Sequence, residues 1–552
     1  MEYFLCAVVL RLQLRSVCAA RLVAVCHLFV GLPHAMPMNR RVFLGLERRA
    51  PARLAEPISS IEPYQELLSR SDVLHLLRRL TFGPTPDLVE QLVGKSALEA
   101  VDLLLGDPSQ EPPVPSPGAW VNQAQEDPRG VDIVTRNQIE STWQANFKAL
   151  QQWWIEQMLA ETIPAREKLT LFWSGHFTTE FTYDLGYIPP QVLYRQNLML
   201  RRMRLANFRA FLEEVTLDCA MLEYLGGTLN VAGTPNENYA REMMELYSTG
   251  IGWYTEGDVK EAARVLTGWK SSLYSDAPAP NGMFNTWFKP SDHDIGAKQY
   301  LGMTIPARDQ DTNTEYLVRT QEVRRMIEIL FQQRPEAVAR FIASKLYRFF
   351  VYSNPGAADA AVLSALMDVF IANDFELRPL VRTLLASKHF FDPANRGVQI
   401  KTPAEFVVGL GRQLGVSLPG AADAMARMEQ DLIDPPDVSG WPGYRAWIST
   451  KTFPQRIQYA GQLIAAMSDA QAQAFVRSFE GWQSVETFVA AVTEFLLPRP
   501  VSAERQAYYQ AILLAGAPRY EWPSIANDAQ AVGSRLRSLL RAIVKAPDYH
   551  LC

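Results

Sequence analysis

The chain has 552 residues, 48% of them hydrophobic and 20% charged, a balance that builds a large core and excludes a disordered chain. A net charge of -5 lacks the basic excess of a nucleic-acid binder, so nucleic acid is not an expected partner. Five cysteines with no CxxC pair, Cys6, Cys18, Cys26, Cys219 and Cys552, give no thiolate zinc motif; Cys219 and Cys552 read as unpaired small hydrophobes rather than a disulfide.

Residues 1–63 read as a leader and N-terminal extension. The apolar run Leu22–Leu32 has the character of a weak secretory signal. It falls short of the roughly 20 apolar residues that cross a bilayer, so no stable membrane span is expected. Met38 is a competing start. The Arg40-Arg41-Val42-Phe43-Leu44 that follows resembles the twin-arginine export signature, yet the charged stretch Glu47–Arg53 stands where an export signal needs apolar residues. A real leader implies a periplasmic or secreted protein, and a false one a cytoplasmic protein.

Beyond it the sequence predicts a mainly α fold, a single large multi-helix domain with one irregular insert carrying two short strands. A small helical group fills 64–106, a Pro-rich loop 107–130 and the main helical body 131–552. Thr85-Pro86, Thr234-Pro235 and Thr402-Pro403 each place a capping hydroxyl before a proline at a helix start. Helices are expected over Val131–Ile163, Ala165–Phe177, Pro190–Arg204, Asn207–Leu225, Asn236–Tyr247 and Gly257–Leu266. The basic run Arg195–Arg204 reads as a solvated helix face. The insert, 271–305, holds turn residues and many aromatics; long irregular stretches in compact domains tend to be functional. Helices resume from Glu322.

Seven histidines are the scarcest chemistry-bearing groups. His75 and His389 read as packing residues. His176 ends an apolar helix, where the helix dipole favours the imidazolium and suits an acid or a ligand; capping the last carbonyls is the bland alternative. His293 and Asp294 lie in the insert, as a catalytic or cation-binding pair or simply as a turn. Glu242 and Glu245 share a helix face with Asn238 and Arg241, the geometry of an acid/base pair or a carboxylate metal site, and equally that of a solvated face. Glu237 pairs with Arg241. Trp269, Trp287 and Trp441 sit at loop or helix ends, where aromatics either stack on flat ligands or anchor loops. No nucleophile elbow, phosphate loop, dinucleotide fingerprint or HExxH occurs.

Eight segments in order carry a resemblance: Leu77–Pro84, Phe172–Phe177, Asn236–Glu245, Ala263–Trp269, His293–Lys298, Lys401–Val408, Pro435–Gly443 and Trp447–Thr450. Together the series resembles the bacterial family called domain of unknown function 1800, from about Leu74 to the C-terminus. That resemblance implies an uncharacterised protein, often exported, with a partner from a neighbouring uncharacterised family that looks related to sulfatases and alkaline phosphatases. Many relatives have Trp-His-Asn-His-Phe where this chain has Trp173-Ser174-Gly175-His176-Phe177, so a metal site built on both histidines would be incomplete.

Two functions follow as expectations. One is an envelope or extracellular hydrolase or lyase acting on a polymer, with His176, Glu242, Glu245, His293 and Asp294 as catalytic groups. Arg241, Trp269, Trp287 and Trp441 would bind substrate, and a divalent metal is the cofactor such carboxylates would hold. The other is a non-catalytic helical scaffold for a partner envelope protein.

Overall fold

The computed structural model describes residues 53, 55–160, 163–183, 186–274 and 281–552, all within the second of two units, Pro51–Cys552. The leader, with His27, His34, Met38 and the paired arginines, lies outside the described residues. Among the described residues the architecture is mainly α, and its strands form three two-stranded antiparallel hairpins. No helix among the described residues is long and apolar enough to cross a membrane.

Local signals set most helix starts. Ser69, Ser96 and Thr402 close capping boxes with Asp72, Glu99 and Glu405, each satisfying two backbone N–H groups that a helix start leaves open. Thr234-Pro235 does not act this way. The helix there runs Glu237–Glu245, and Asn236 caps it by accepting from Asn238 N–H. The helix expected over 207–225 is broken into Phe208–Thr216 and Cys219–Tyr224 because Asp218 turns its carboxylate onto Met221 N–H and starts a second helix. The insert forms two hairpins, Trp269–Ser271 with Thr286–Phe288 and Lys298–Tyr300 with Met303–Ile305. Helical structure returns at Glu315, ahead of Glu322.

One hydrophobic core is continuous from Leu68 to Tyr549, so the helical group near the N-terminus shares it with the main body. Cys219 and Cys552 are both free and buried. Residues 55–63 lie along the body: Lys388 N–H donates to the Glu62 carbonyl, and Ile58 N–H to Asp392. His389 is held there between Tyr347 Oη and the Ile58 carbonyl. His75 bonds the Phe390 carbonyl at 3.0 Å.

The helix Arg166–His176 runs through the centre of the core. Its first turn carries Glu167, fully buried, which accepts from Trp154 Nε1 (2.9 Å), Arg166 Nε (2.8 Å) and Arg201 (2.8 and 3.0 Å). The basic run expected to face solvent is therefore split. Arg201 and Arg204 are buried against Glu167 and Glu111, while Arg202 stays outside with Glu214. Periodicity places Arg201 and Arg204 on one helix face, but it cannot show that a carboxylate waits inside. Further along, Trp173 packs among Phe177, Phe208 and Phe211 and donates from Nε1 to the Arg204 carbonyl at 3.0 Å.

Burial alone would push Glu167 up; the charges and hydrogen bonds of Arg201 and Arg166 outweigh it and hold the carboxyl below its ordinary value. A carboxyl depressed on folding stabilises the protein above its unfolded value, and that contribution is lost as pH falls through the folded value. We expect Glu167→Gln to destabilise the fold by about 3 kcal/mol, since it removes the carboxylate that answers the buried Arg201 and leaves Arg166 with the more distant Glu111. The loss, read from urea midpoints, should be full at neutral pH and shrink below about pH 4.

Candidate functional site

The C-terminal end of the central helix delivers His176 to the floor of a cleft of about 310 Å³. Its ring is buried against Phe172, Phe177, Tyr247 and Phe341. Nε2 lies 3.0 Å from the Tyr247 carbonyl, which can only accept, so Nε2 carries the proton. Nδ1 then accepts from Lys345 Nζ at 3.0 Å. Lys345 also donates to the Leu246 carbonyl at 3.2 Å. Burial, and then the Lys345 charge, drive His176 well below its ordinary pKa. The expectation of an imidazolium at a helix end is thus overturned, because the helix dipole is weaker than desolvation beside a cation. His176 is held neutral, with both ring nitrogens engaged.

Lys345 is the residue that sequence reasoning missed. It lies on the helix Pro335–Phe350 with Arg348 one turn on, and both line the cleft. Burial, aided by the Arg348 charge, pushes Lys345 down to about 8. Arg348 is exposed, and its guanidinium has no hydrogen-bond or ion-pair partner among the described residues. The available signal was a lysine and an arginine three apart in the second half of an amphipathic helix, which puts both cations on one face.

The opposite wall is the loop through Ser439, Trp441 and Gly443. Gly440 has φ +89°, and a Cβ there would lie 2.6 Å from the Gly175 carbonyl. A Cβ on Gly175 would in turn press on the Trp441 ring at 3.3 Å. The two glycines let the loop lie directly on the end of the central helix, and Thr178 fastens it by donating to the Val438 carbonyl. Trp441 is half-buried, and its Nε1–H has no partner among the described residues. Glu405 completes the rim, paired with the buried Lys168. Behind it, burial pushes Lys401 down to about 7.

The remaining predicted residues lie elsewhere. His293 is buried, with Nδ1 donating to the Thr267 carbonyl at 2.8 Å and Nε2 3.3 Å from Glu322. Glu322 also pairs with Lys298 and Arg308. Asp294 pairs with Arg264 at 2.7 Å, a bond that holds its carboxyl below the ordinary range. Arg241 forms a bidentate pair with Glu256 at 2.7 Å and lies 3.6 Å from Glu237. Glu245 accepts from Tyr254 Oη at 2.7 Å. The Glu242 carboxylate is half-buried without a hydrogen-bond partner among the described residues, and burial and Glu245 raise its pKa. Pairing of Lys270 with Trp287 and of Trp269 with Phe288 across one hairpin sorts the tryptophans. Trp269 is buried against Phe288, while Trp287 lines a second cleft. Of the predicted residues, only His176 and Trp441 share the first cleft. Among the described residues no group of three or more His, Cys, Asp or Glu is placed to hold a metal ion.

Four of the resemblance segments, those through His176, Thr402, Trp441 and Trp447, meet at this one cleft. A family model described as a protein of unknown function, DUF1800, matches residues 75–551. The chain belongs to the DUF1800 family. No curated protein and no solved structure gave a match. Within this DUF1800 chain, Ser174 is half-buried and does not line the cleft.

A lysine depressed to about 8 is a nucleophile well below the pH at which a free lysine amine, near pKa 10.4, becomes one. Acylation by an amine-directed reagent, followed by peptide mapping, should show Lys345 reaching half its maximal rate near pH 8. A rate that climbs toward about pH 10.4 like free lysine would show the amine to be unperturbed.

Proposed function

We propose that this DUF1800 protein is a lyase acting on an acidic polymer of the envelope or exterior, with the cleft over His176 as its reaction centre. The observation that carries the reading is the pair of cations on one wall: an amine poised near neutrality beside a guanidinium with no protein partner. Arg348 would bind a substrate carboxylate and draw charge from it, making the adjacent C–H more acidic. Lys345, as the neutral amine, would take that proton. The C–H electron pair becomes a C=C bond as the C–O bond one carbon further on breaks, and the departing oxygen takes a proton from solvent. His176 would aim the amine through its Nδ1, and the half-buried Trp441 would offer a flat face to a sugar ring.

This places the base on Lys345, where the sequence pointed to His176 and carboxylates. The scaffold reading, with a sulfatase- or phosphatase-like partner, draws its support from the buried His293–Glu322–Lys298 network, whose groups are all satisfied.

Ultraviolet absorbance of unsaturated product, followed over a panel of uronate polymers, tests the reading. The rate should rise about tenfold per pH unit up to about pH 8 and then level. Lys345→Met should lower it roughly a hundredfold to ten-thousandfold. Arg348→Gln should raise KM about tenfold, the cost of one charged hydrogen bond. Absence of unsaturated product from every uronate polymer would sink the lyase.

A further inference from the structure

A second cleft, of about 890 Å³, opens where the Pro-rich loop meets the insert. We infer that it is a separate binding site for an oligosaccharide chain, recognised through ring faces and hydroxyl groups rather than through charge. Its floor is the hairpin face that carries Lys270 and Trp287, paired across the strands. Trp287 is half-buried, lines the cleft and stacks on no other ring among the described residues. Tyr274 supplies a further aromatic surface, held in place by Trp143 stacked at 6.4 Å and by Arg129 at 5.2 Å from its ring. Tyr187, also half-buried, adds another. Such residues offer an apolar face with a polar edge, the match for a sugar ring.

The charges around these rings are nearly balanced. Arg129 pairs with Asp127, and Lys270 and Lys289 both pair with Asp292 at 3.1 and 3.0 Å. Arg136 and Glu140 add one charge of each sign. Glu223 accepts from Ser271 Oγ and lines the wall. A surface built for phosphate or a polyanion leaves its cations free; here Arg129, Lys270 and Lys289 are tied to carboxylates and Arg136 to the Pro128 carbonyl, and charges engaged in this way serve as fixed donors and acceptors for hydroxyls. The volume sits toward the upper end of the range for small-ligand pockets, which suits several linked sugars. The first cleft is less than half that size.

The test is isothermal titration of the full chain with three probes: a gluco-oligosaccharide, an N-acetylglucosamine oligomer and a galacturonate oligomer. At least one should bind, with an affinity that changes little with salt. Trp287→Ala should weaken it about tenfold or more, while Trp287→Phe retains most of it and Lys345→Met leaves it unchanged. An unaltered helical circular-dichroism spectrum shows that each variant folds. The site is refuted if no probe binds or if Trp287→Ala binds as well as wild type. A steep fall in affinity with salt, the mark of a polyanion site, would also overturn it. So would loss of binding in Lys345→Met, because it assigns the sugar to the first cleft. For the two neutral probes, which offer no carboxylate to Arg348, the titration reads binding alone, and its outcome is independent of whether the proposed lyase reaction occurs.

Discussion

Burying Glu167 obliges the rest of the fold to come to it. An ionised carboxyl removed from water costs several kcal/mol unless paired and hydrogen-bonded, and here the partners arrive from separate places: Arg166 beside it, Arg201 on the helix Pro190–Met203, and Trp154 on the helix Ile133–Ala160. One residue on, Lys168 reaches Glu405, and its Nζ lies 3.3 Å from the Thr81 carbonyl. The first turn of the central helix therefore ties together the segment near the N-terminus, two long helices and the helix Pro403–Leu414. With that end fixed, the direction of the helix is fixed, and so is the point in space where His176 emerges.

At that far end the requirement is reversed. Lys345 is largely covered, though less completely than Lys168, Arg201 and Arg204, and among the described residues no carboxylate answers it. Its partners are a neutral imidazole and a carbonyl, which orient the ammonium without supplying the charge that would hold its proton. The Leu246 and Tyr247 carbonyls come from the end of the helix Glu237–Glu245. The polar segment 236–250 thus contributes to the site through its backbone, while the Arg241 and Glu245 side chains are spent on Glu256 and Tyr254. Within one core, the pairing of charges decides which cations brace the fold and which is left reactive.

That distinction explains what could be seen in the sequence. Element type was legible because apolar spacing and capping residues are local: the helices ending at His176 and Glu245 fall within a residue or two of where periodicity puts them. The site was legible where a residue was rare or its setting odd, as with His176 and Trp441. Lys345 was overlooked because its local mark, Arg348 one turn on, is a common one; its depressed pKa arises from burial and from Arg348, against a histidine far away along the chain. His293 shows the converse. Flanking aspartates drew attention to it, but the carboxylate that meets its ring is Glu322, from beyond the insert.

The two hairpins of the insert then acquire a purpose in the architecture. Alternation along a strand sends successive side chains to opposite faces, so the single step from Trp269 to Lys270, and from Phe288 to Trp287, separates anchor from platform. Trp269 and Phe288 commit one face to the core, and that commitment holds Lys270 and Trp287 open on the other. A helix can present a ring to solvent only at the cost of part of its apolar stripe; a short hairpin does both at once. An otherwise helical body that must hold a flat aromatic surface beside paired charges has this reason to interrupt its helices where it does.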